Sequence, residues 1–140
     1  MKILLAVDGS HVTKRMLSYI AAHNELLGPN HEYTAVTVIP PVPAYAMQML
    51  QRDTLDGYYQ EEADKVFRPI RAFMEQQAIQ VRLTFLHGHP SETIASMAER
   101  DHFNLIVMGA HGHSALGNVV LGSVATGVLA RCKTPVLLIR

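Results

Sequence analysis

The sequence predicts an α/β protein with an open five-stranded parallel sheet, in strand order 3-2-1-4-5, and with helices on both faces. Short apolar runs alternate along the chain with longer segments whose apolar residues recur every three or four positions, the pattern of strands and amphipathic helices in such sheets. Right-handed crossovers leave few topologies for this order. In the one predicted, the direction of winding reverses between the first and fourth strands. The 140 residues fit a single domain, 1–140, large enough to bury a core without metal or disulfides.

The five strands are predicted from short apolar runs that end at turn residues. The first run is continuously apolar, as in a strand buried on both faces. The third run alternates apolar and polar residues, which indicates one partly solvated face. In chain order, the strands are expected over 3–7, 33–39, 80–87, 105–108 and 136–139.

Four helices are predicted between the strands from apolar residues at helical spacing. Ser10 is placed to N-cap the first helix, and Gly28-Pro29-Asn30 ends it. Pro69 lies inside the second helix and predicts a kink or a break there. The segment 40–54 shows no period, so we expect a loop or short mobile helix that forms a connection, a lid or a partner surface. The helices are expected over about 11–27, 55–77, 90–100 and 123–132.

The composition excludes several classes of protein. Twelve basic residues balance twelve acidic ones, which argues against a general binder of nucleic acid or of anionic membranes. The single cysteine, Cys132, rules out an internal disulfide and suits a reducing compartment. The apolar run near the first residue is too short for a signal peptide or a membrane span. We therefore expect a soluble, cytoplasmic protein without nucleic-acid or membrane partners.

The stretch 104–123 combines a strand, four glycines and a Gly-Ser pair before the last helix. Glycine lets a ligand approach the backbone closely, and a helix start offers free N–H groups at the positive end of its dipole. The predicted strand order brings this stretch opposite Asp8, at the reversal point where such sheets bind ligands. A phosphate site is therefore predicted. The stretch matches neither the P-loop nor the dinucleotide fingerprint, and the alternative is that its glycines only make tight turns.

The spacing Gly109-x2-Gly112-x9-Gly122-Ser123 resembles the nucleotide-binding signature of the universal stress protein family, G-x2-G-x9-G-[ST]. The segments ILLAVDGS, LIVMGAHG and LGSVATGVLARCKTPVLLIR are similar to that family's first strand, its fourth strand and loop, and its last helix and strand. The resemblance covers the whole chain. It implies an adenine nucleotide alpha hydrolase-like fold, ATP or AMP with Mg²⁺ as ligands, and a dimeric cytoplasmic regulator of the stress response rather than a fast enzyme.

The resemblance also implies site residues, with adenine near the ends of the first two strands and phosphates along the glycine loop. His113 stands where arginine is common in the family, and no Lys or Arg lies between Gly109 and Ser123. The phosphate charge therefore has to be carried by His113, magnesium and the helix start. The expected cofactor-binding residues are Ala6, Val7, Asp8, Val38, Met108, Gly109, His111, Gly112, His113, Gly122, Ser123 and Val124.

Alternatives stay open for some of these residues and for the function. Asp8 either makes an Asx-turn or helix cap, or binds a ribose hydroxyl or phosphate-bound magnesium. Two alternative functions are a nucleotide-free interaction or chaperone-like module, and a small metal-dependent hydrolase that uses the histidines following strands. Those histidines are His11, His87, His89, His111 and His113. We expect no catalytic residues and at most slow ATP hydrolysis.

The last predicted strand lies at an edge of the sheet in the order 3-2-1-4-5. An apolar edge strand invites pairing with another chain. The resemblance to the universal stress protein family implies a similar dimer. We therefore expect a homodimer through that strand, with an interface of Val136, Leu137, Leu138 and Ile139.

Overall fold

The computed structural model describes residues 1–49, 51–112 and 120–140, apart from the side chain of Asp53. Five parallel strands form one sheet in the order β3-β2-β1-β4-β5, which confirms the predicted topology. The strands are β1 (Lys2–Ala6), β2 (Glu32–Ile39), β3 (Val81–His87), β4 (Leu105–Gly109) and β5 (Val136–Ile139).

The helices differ from the prediction mainly at their ends. The first predicted helix is divided into two by His23, and the segment after β2 contains one short helix. The helices in the described part of the chain are α1 (His11–Ala22), α2 (Asn24–Leu27), α3 (Ala44–Met47), α4 (Arg52–Gln76), α5 (Pro90–Arg100) and α6 (Ser123–Arg131).

Pro69 does not break the chain's longest described helix. α4 is one helix of 25 residues that continues through Pro69 to Gln76, so the predicted break is wrong. Pro69 is exposed. On the solvent side, water can bond to the carbonyl group that loses its partner at a proline, so the helix continues.

Apolar side chains cover both faces of the sheet. α1, α2 and α4 pack on one face, with Ile20 and Phe67 among their buried residues. α5 and α6 pack on the other face, with Ile94 and Val128 buried. Because β4 pairs with β1 and not with β3, the helices change faces at this point, and a crevice opens beyond the ends of β1 and β4.

β5 and β3 are the two edge strands. Among the described residues, β5 pairs with β4 alone, from Ile106 opposite Val136 to Gly109 opposite Ile139. The edge position predicted for the last strand is thus confirmed. Within the described residues, no helix combines the length and the apolar character that crossing a membrane requires.

Candidate functional site

A cavity of about 1020 Å³ lies beyond the carboxyl ends of β1, β2 and β4. Its volume is at the upper end of the usual range for small-molecule sites. His113 lies outside the described residues, and every other predicted site residue lines this cavity. These are Ala6, Val7, Asp8, Val38, Met108, Gly109, His111, Gly112, Gly122, Ser123 and Val124.

Asp8 is held at the cavity wall by the turn that follows β1. Its Oδ1 accepts hydrogen bonds from the backbone N–H of Ser10 at 2.9 Å and from the hydroxyl of Thr13 at 3.1 Å. The Thr13 oxygen accepts in turn from the backbone N–H of Asp8 at 3.3 Å. The Asx-turn considered from the sequence is therefore present. The other carboxylate oxygen, Oδ2, faces Gly112, where an added Cβ would lie 2.9 Å from it.

Gly109 allows α1 to pack closely against the end of β4. A Cβ at this position would overlap Cγ1 of Val12 and would lie 2.8 Å from the carbonyl oxygen of His111. Real Cβ atoms do not approach their neighbours so closely, so a side chain here would force α1 and β4 apart. Close packing of α1 against β4 thus requires glycine at position 109, independently of any bound ligand.

Gly122 makes a second close approach, between the start of α6 and the strand-end residue Ala110. Its N–H donates to the Ala110 carbonyl at 2.6 Å, and an added Cβ would lie 3.1 Å from that oxygen. In the described chain, the glycines with positive φ are Gly9 (77°) and Gly88 (145°). The signature glycines that are described therefore permit close backbone contacts and do not adopt the left-handed conformation.

The start of α6 faces the cavity. Gly122 is the N-cap and Ser123 is the first helical residue, where the last helix was predicted to begin. The hydroxyl and N–H of Thr126 both bond to the Gly122 carbonyl, at 2.9 and 3.0 Å. The N–H groups of the first helical residues have no partner within the helix, and its first turn has no acidic residue. The positive end of the helix dipole is thus available to an anion in the cavity.

The charged side chains on the described cavity wall are the carboxylates of Asp8 and Glu62, and neither Lys nor Arg is among its described residues. Lys65 approaches the rim through an ion pair with Glu62, at 2.9 Å between Nζ and Oε1. This hydrogen-bonded carboxylate raises the pKa of Lys65. A phosphate bound here would therefore depend on helix ends, backbone N–H groups and a bound cation.

α4 forms a cavity wall that sequence reasoning did not find. Tyr58, Glu62 and Val66 lie four residues apart on one side of α4 and line the cavity. Val66 lies 3.5 Å from where a Cβ on Gly9 would be. The topology contained the signal for this wall, because the helix after β2 begins at the same edge of the sheet where the ligand is expected.

The histidines do not gather at one place in the described part of the chain. His87 ends edge strand β3 and packs edge-on against Tyr59, with 4.8 Å between ring centroids. Of the described histidines, His111 lines the cavity. Among residues 1–49, 51–112 and 120–140, no three His, Cys, Asp or Glu side chains are grouped to hold a metal ion.

Comparison with known proteins gives one consistent family. A sequence model of the universal stress protein family matches residues 1–140. A universal stress protein of Thermus aquaticus is 34% identical over 138 residues, which cover 99% of this chain and 97% of that protein. The universal stress protein MJ0531 of Methanocaldococcus jannaschii is 29% identical over 140 residues, which cover 99% of this chain and 81% of that protein.

Solved structures share the fold. The structure of MJ0577 superposes with a TM-score of 0.83 and 28% identity, over 99% of this chain and 94% of that chain. Two more distant structures contain nucleotides: an Arabidopsis thaliana protein with AMP bound (TM-score 0.67, 14% identity) and an Archaeoglobus fulgidus protein in complex with dAMP (TM-score 0.65, 20% identity). A further structure is in complex with cAMP (TM-score 0.61, 21% identity).

Proposed function

Because this chain belongs to the universal stress protein family, we propose that it binds an adenine nucleotide, ATP or AMP, in the cavity at the ends of β1 and β4. The observation that carries the proposal is the convergence of every described residue of the predicted site on one cavity, beside the start of α6. Proteins of the same fold that contain AMP, dAMP and cAMP support the choice of an adenine nucleotide.

Magnesium fits the charge of this cavity. The described wall offers the Asp8 carboxylate and no Lys or Arg, and oxygen ligands are those that Mg²⁺ prefers. Magnesium on the nucleotide would neutralise phosphate charge, while Asp8, Ser123 and Val124 orient the ligand. We assign no catalytic role to the described residues of the cavity. The proposed function is therefore that of a nucleotide-dependent regulator of the stress response. We place it in the cytoplasm, as one domain.

Nucleotide binding is expected to raise the melting temperature of the protein. A ligand that binds only the folded state stabilises it by RT ln(1 + [L]/Kd), about 2.7 kcal/mol at a hundredfold excess over Kd. Thermal-shift titrations with ATP plus Mg²⁺, AMP and buffer measure the effect. No shift at millimolar nucleotide would contradict the proposal and favour the nucleotide-free interaction module.

Ser123→Asp supplies a variant for the same titration. An acidic residue in the first turn of a helix is favourable to the helix, so α6 should fold normally. Its carboxylate would repel phosphate, and we expect the Kd for ATP to rise about tenfold or more. Ser96→Asp, the same change on an exposed position of α5, should leave the Kd unchanged. Equal affinities of the two variants would place the phosphates away from α6.

We also propose that two copies of the chain pair through β5. The N–H groups of Ile106 and Ala110 bond to the carbonyls of Pro135 and Ile139. Backbone N–H and carbonyl groups alternate in direction along a strand, so those of Val136 point away from β4, toward the open edge of the sheet. An unpaired apolar edge of this kind favours pairing with an identical edge.

Val136→Pro is expected to weaken that dimer about tenfold, because it removes one outward N–H group. Proline is tolerated at the first residue of an edge strand, and Val136 is the first residue of β5. Val136→Ala is the matched control, since it loses side-chain packing but keeps the N–H group. Sedimentation equilibrium at micromolar concentration measures the dissociation constants. A monomeric wild-type protein, or equal effects of the two variants, would contradict the proposed interface.

A further inference from the structure

The hydroxyl group of Ser10 has no hydrogen-bond partner in the described structure. Ser10 follows the turn after β1, is 8% exposed and lines the cavity. Its Oγ is shielded from solvent and bonds to none of the described residues. A buried hydroxyl without a partner destabilises the folded state, because it has lost its bonds to water.

Helix capping does not account for this serine. Ser10 is the N-cap residue of α1, where a serine oxygen usually accepts a hydrogen bond from the second or third helical N–H group. The structure shows no such bond. The backbone N–H of Ser10 is engaged by Asp8, as is the hydroxyl of Thr13. The Ser10 hydroxyl is thus a buried side-chain group that the described protein leaves without a hydrogen bond.

We propose that the Ser10 hydroxyl donates a hydrogen bond to a phosphoryl oxygen of the bound ligand, at a second anion subsite formed by the start of α1. This inference rests on the proposed nucleotide site. A serine hydroxyl reaches a new staggered position by rotation about one bond, so Oγ can turn into the cavity that Ser10 lines.

The surroundings of Ser10 favour an anionic oxygen as the acceptor. Val12 and Thr13, in the first turn of α1, also line the cavity, and that turn contains no acidic residue. The α1 start therefore presents a second positive helix end to the cavity that α6 already faces. Asp8 is close, but its Oδ1 accepts two hydrogen bonds, which reduces its repulsion of a phosphate. Two helix starts then share the ligand's charge in a cavity whose described wall has no Lys or Arg.

The Ser10→Ala variant tests the proposal through two effects of opposite sign. Without nucleotide, it should melt about 2–4 °C higher than the wild type, because a buried polar group without a partner has been removed. Its Kd for ATP plus Mg²⁺ should nevertheless rise about tenfold, since hydrogen bonds to charged groups are among the stronger ones. Its Kd for adenosine, which has no phosphate, should change less than twofold. Thermal melting and isothermal titration calorimetry measure these quantities.

Two further variants complete the experiment. Ser18→Ala removes an exposed hydroxyl from the same helix, one that bonds to the Lys14 carbonyl, and should leave both affinities unchanged. Ser10→Gly lacks the hydroxyl but is well tolerated at an N-cap, so it reports the affinity if Ser10→Ala does not fold. It should show the same tenfold loss for ATP.

Four results would overturn the inference. A Ser10→Ala protein that melts lower and binds ATP like the wild type would show that Ser10 has only a structural role. Equal losses of affinity for ATP and adenosine would place the hydroxyl against the nucleoside. A wild-type protein that binds no nucleotide would refute the proposed function itself, together with the subsite, whereas unchanged ATP binding by both Ser10 variants refutes the subsite alone.

Discussion

Replacing Gly109 by alanine is expected to lower the free energy of unfolding by about 2–3 kcal/mol. The new Cβ would overlap Cγ1 of Val12 and lie 2.8 Å from the carbonyl oxygen of His111. Val12 cannot move aside independently, because the next turns of α1 bury Met16 and Ile20 completely in the core. The strain must therefore separate α1 from β4. Urea unfolding of the two proteins measures the difference.

Gly57→Ala is the matched control for this substitution. Gly57 lies inside α4, and an added Cβ would meet nothing within 4 Å. The change should raise the free energy of unfolding by about 0.5–1 kcal/mol, because alanine loses less backbone entropy in a helix. If Gly109→Ala were as stable as the wild type, the packing reason for this glycine would be wrong, and only a bound ligand would explain it.

Raising the pH from 10 to 12 is expected to lower the free energy of unfolding by about 2 kcal/mol through Tyr33 alone. Burial raises the pKa of Tyr33 to about 12, whereas a tyrosine in the unfolded chain ionises near 10. Folding therefore favours the neutral phenol. This contribution is fully present below pH 10 and is lost as the pH rises through the folded pKa. Urea unfolding at half-unit steps of pH measures it.

The geometry around Tyr33 agrees with a phenol that resists ionisation. Its hydroxyl donates to the carbonyl oxygens of Leu27, at 2.5 Å, and Gly28, at 3.0 Å. Tyr33→Phe should be about 1 kcal/mol less stable at pH 8, because these bonds are lost. Its disadvantage should shrink and reverse between pH 10 and 12, because phenylalanine has nothing to ionise. Parallel losses of stability in both proteins would assign the alkaline transition to other groups.

The fold could be predicted because its signals are local. The apolar runs of β1 and β4 and the Gly-Ser pair before α6 each occupy a short window of sequence. The alternation of elements then limits how strands can be ordered. These same facts placed Asp8 and Gly112 on one cavity, although they are far apart in the chain.

The topology brings α4 to the edge of the sheet where the cavity lies, but the side of α4 that forms the wall could not be predicted, because it depends on tertiary contacts. Tyr58, Glu62 and Val66 are a mixed polar and apolar set, which in sequence resembles an ordinary helix surface. The packing of α4 against the loop at Gly9 orients the side that carries Tyr58, Glu62 and Val66 toward the cavity. The sequence could not predict that the Ser10 hydroxyl lacks a hydrogen-bond partner either, since a serine at a helix start predicts a cap.

The pairing of β1 with β4 joins parts of the chain that are far apart, since the Asn104 side chain accepts a bond from the Lys2 N–H across 102 residues. β1, β2 and β3 can pair one after another as the chain is made, whereas the β1–β4 contact closes a long loop at a high cost in entropy. We therefore expect this contact to form late in folding. A cavity that straddles this contact would be completed only after α6 has left the ribosome, so the nucleotide proposed above would bind only to chains that already include α6.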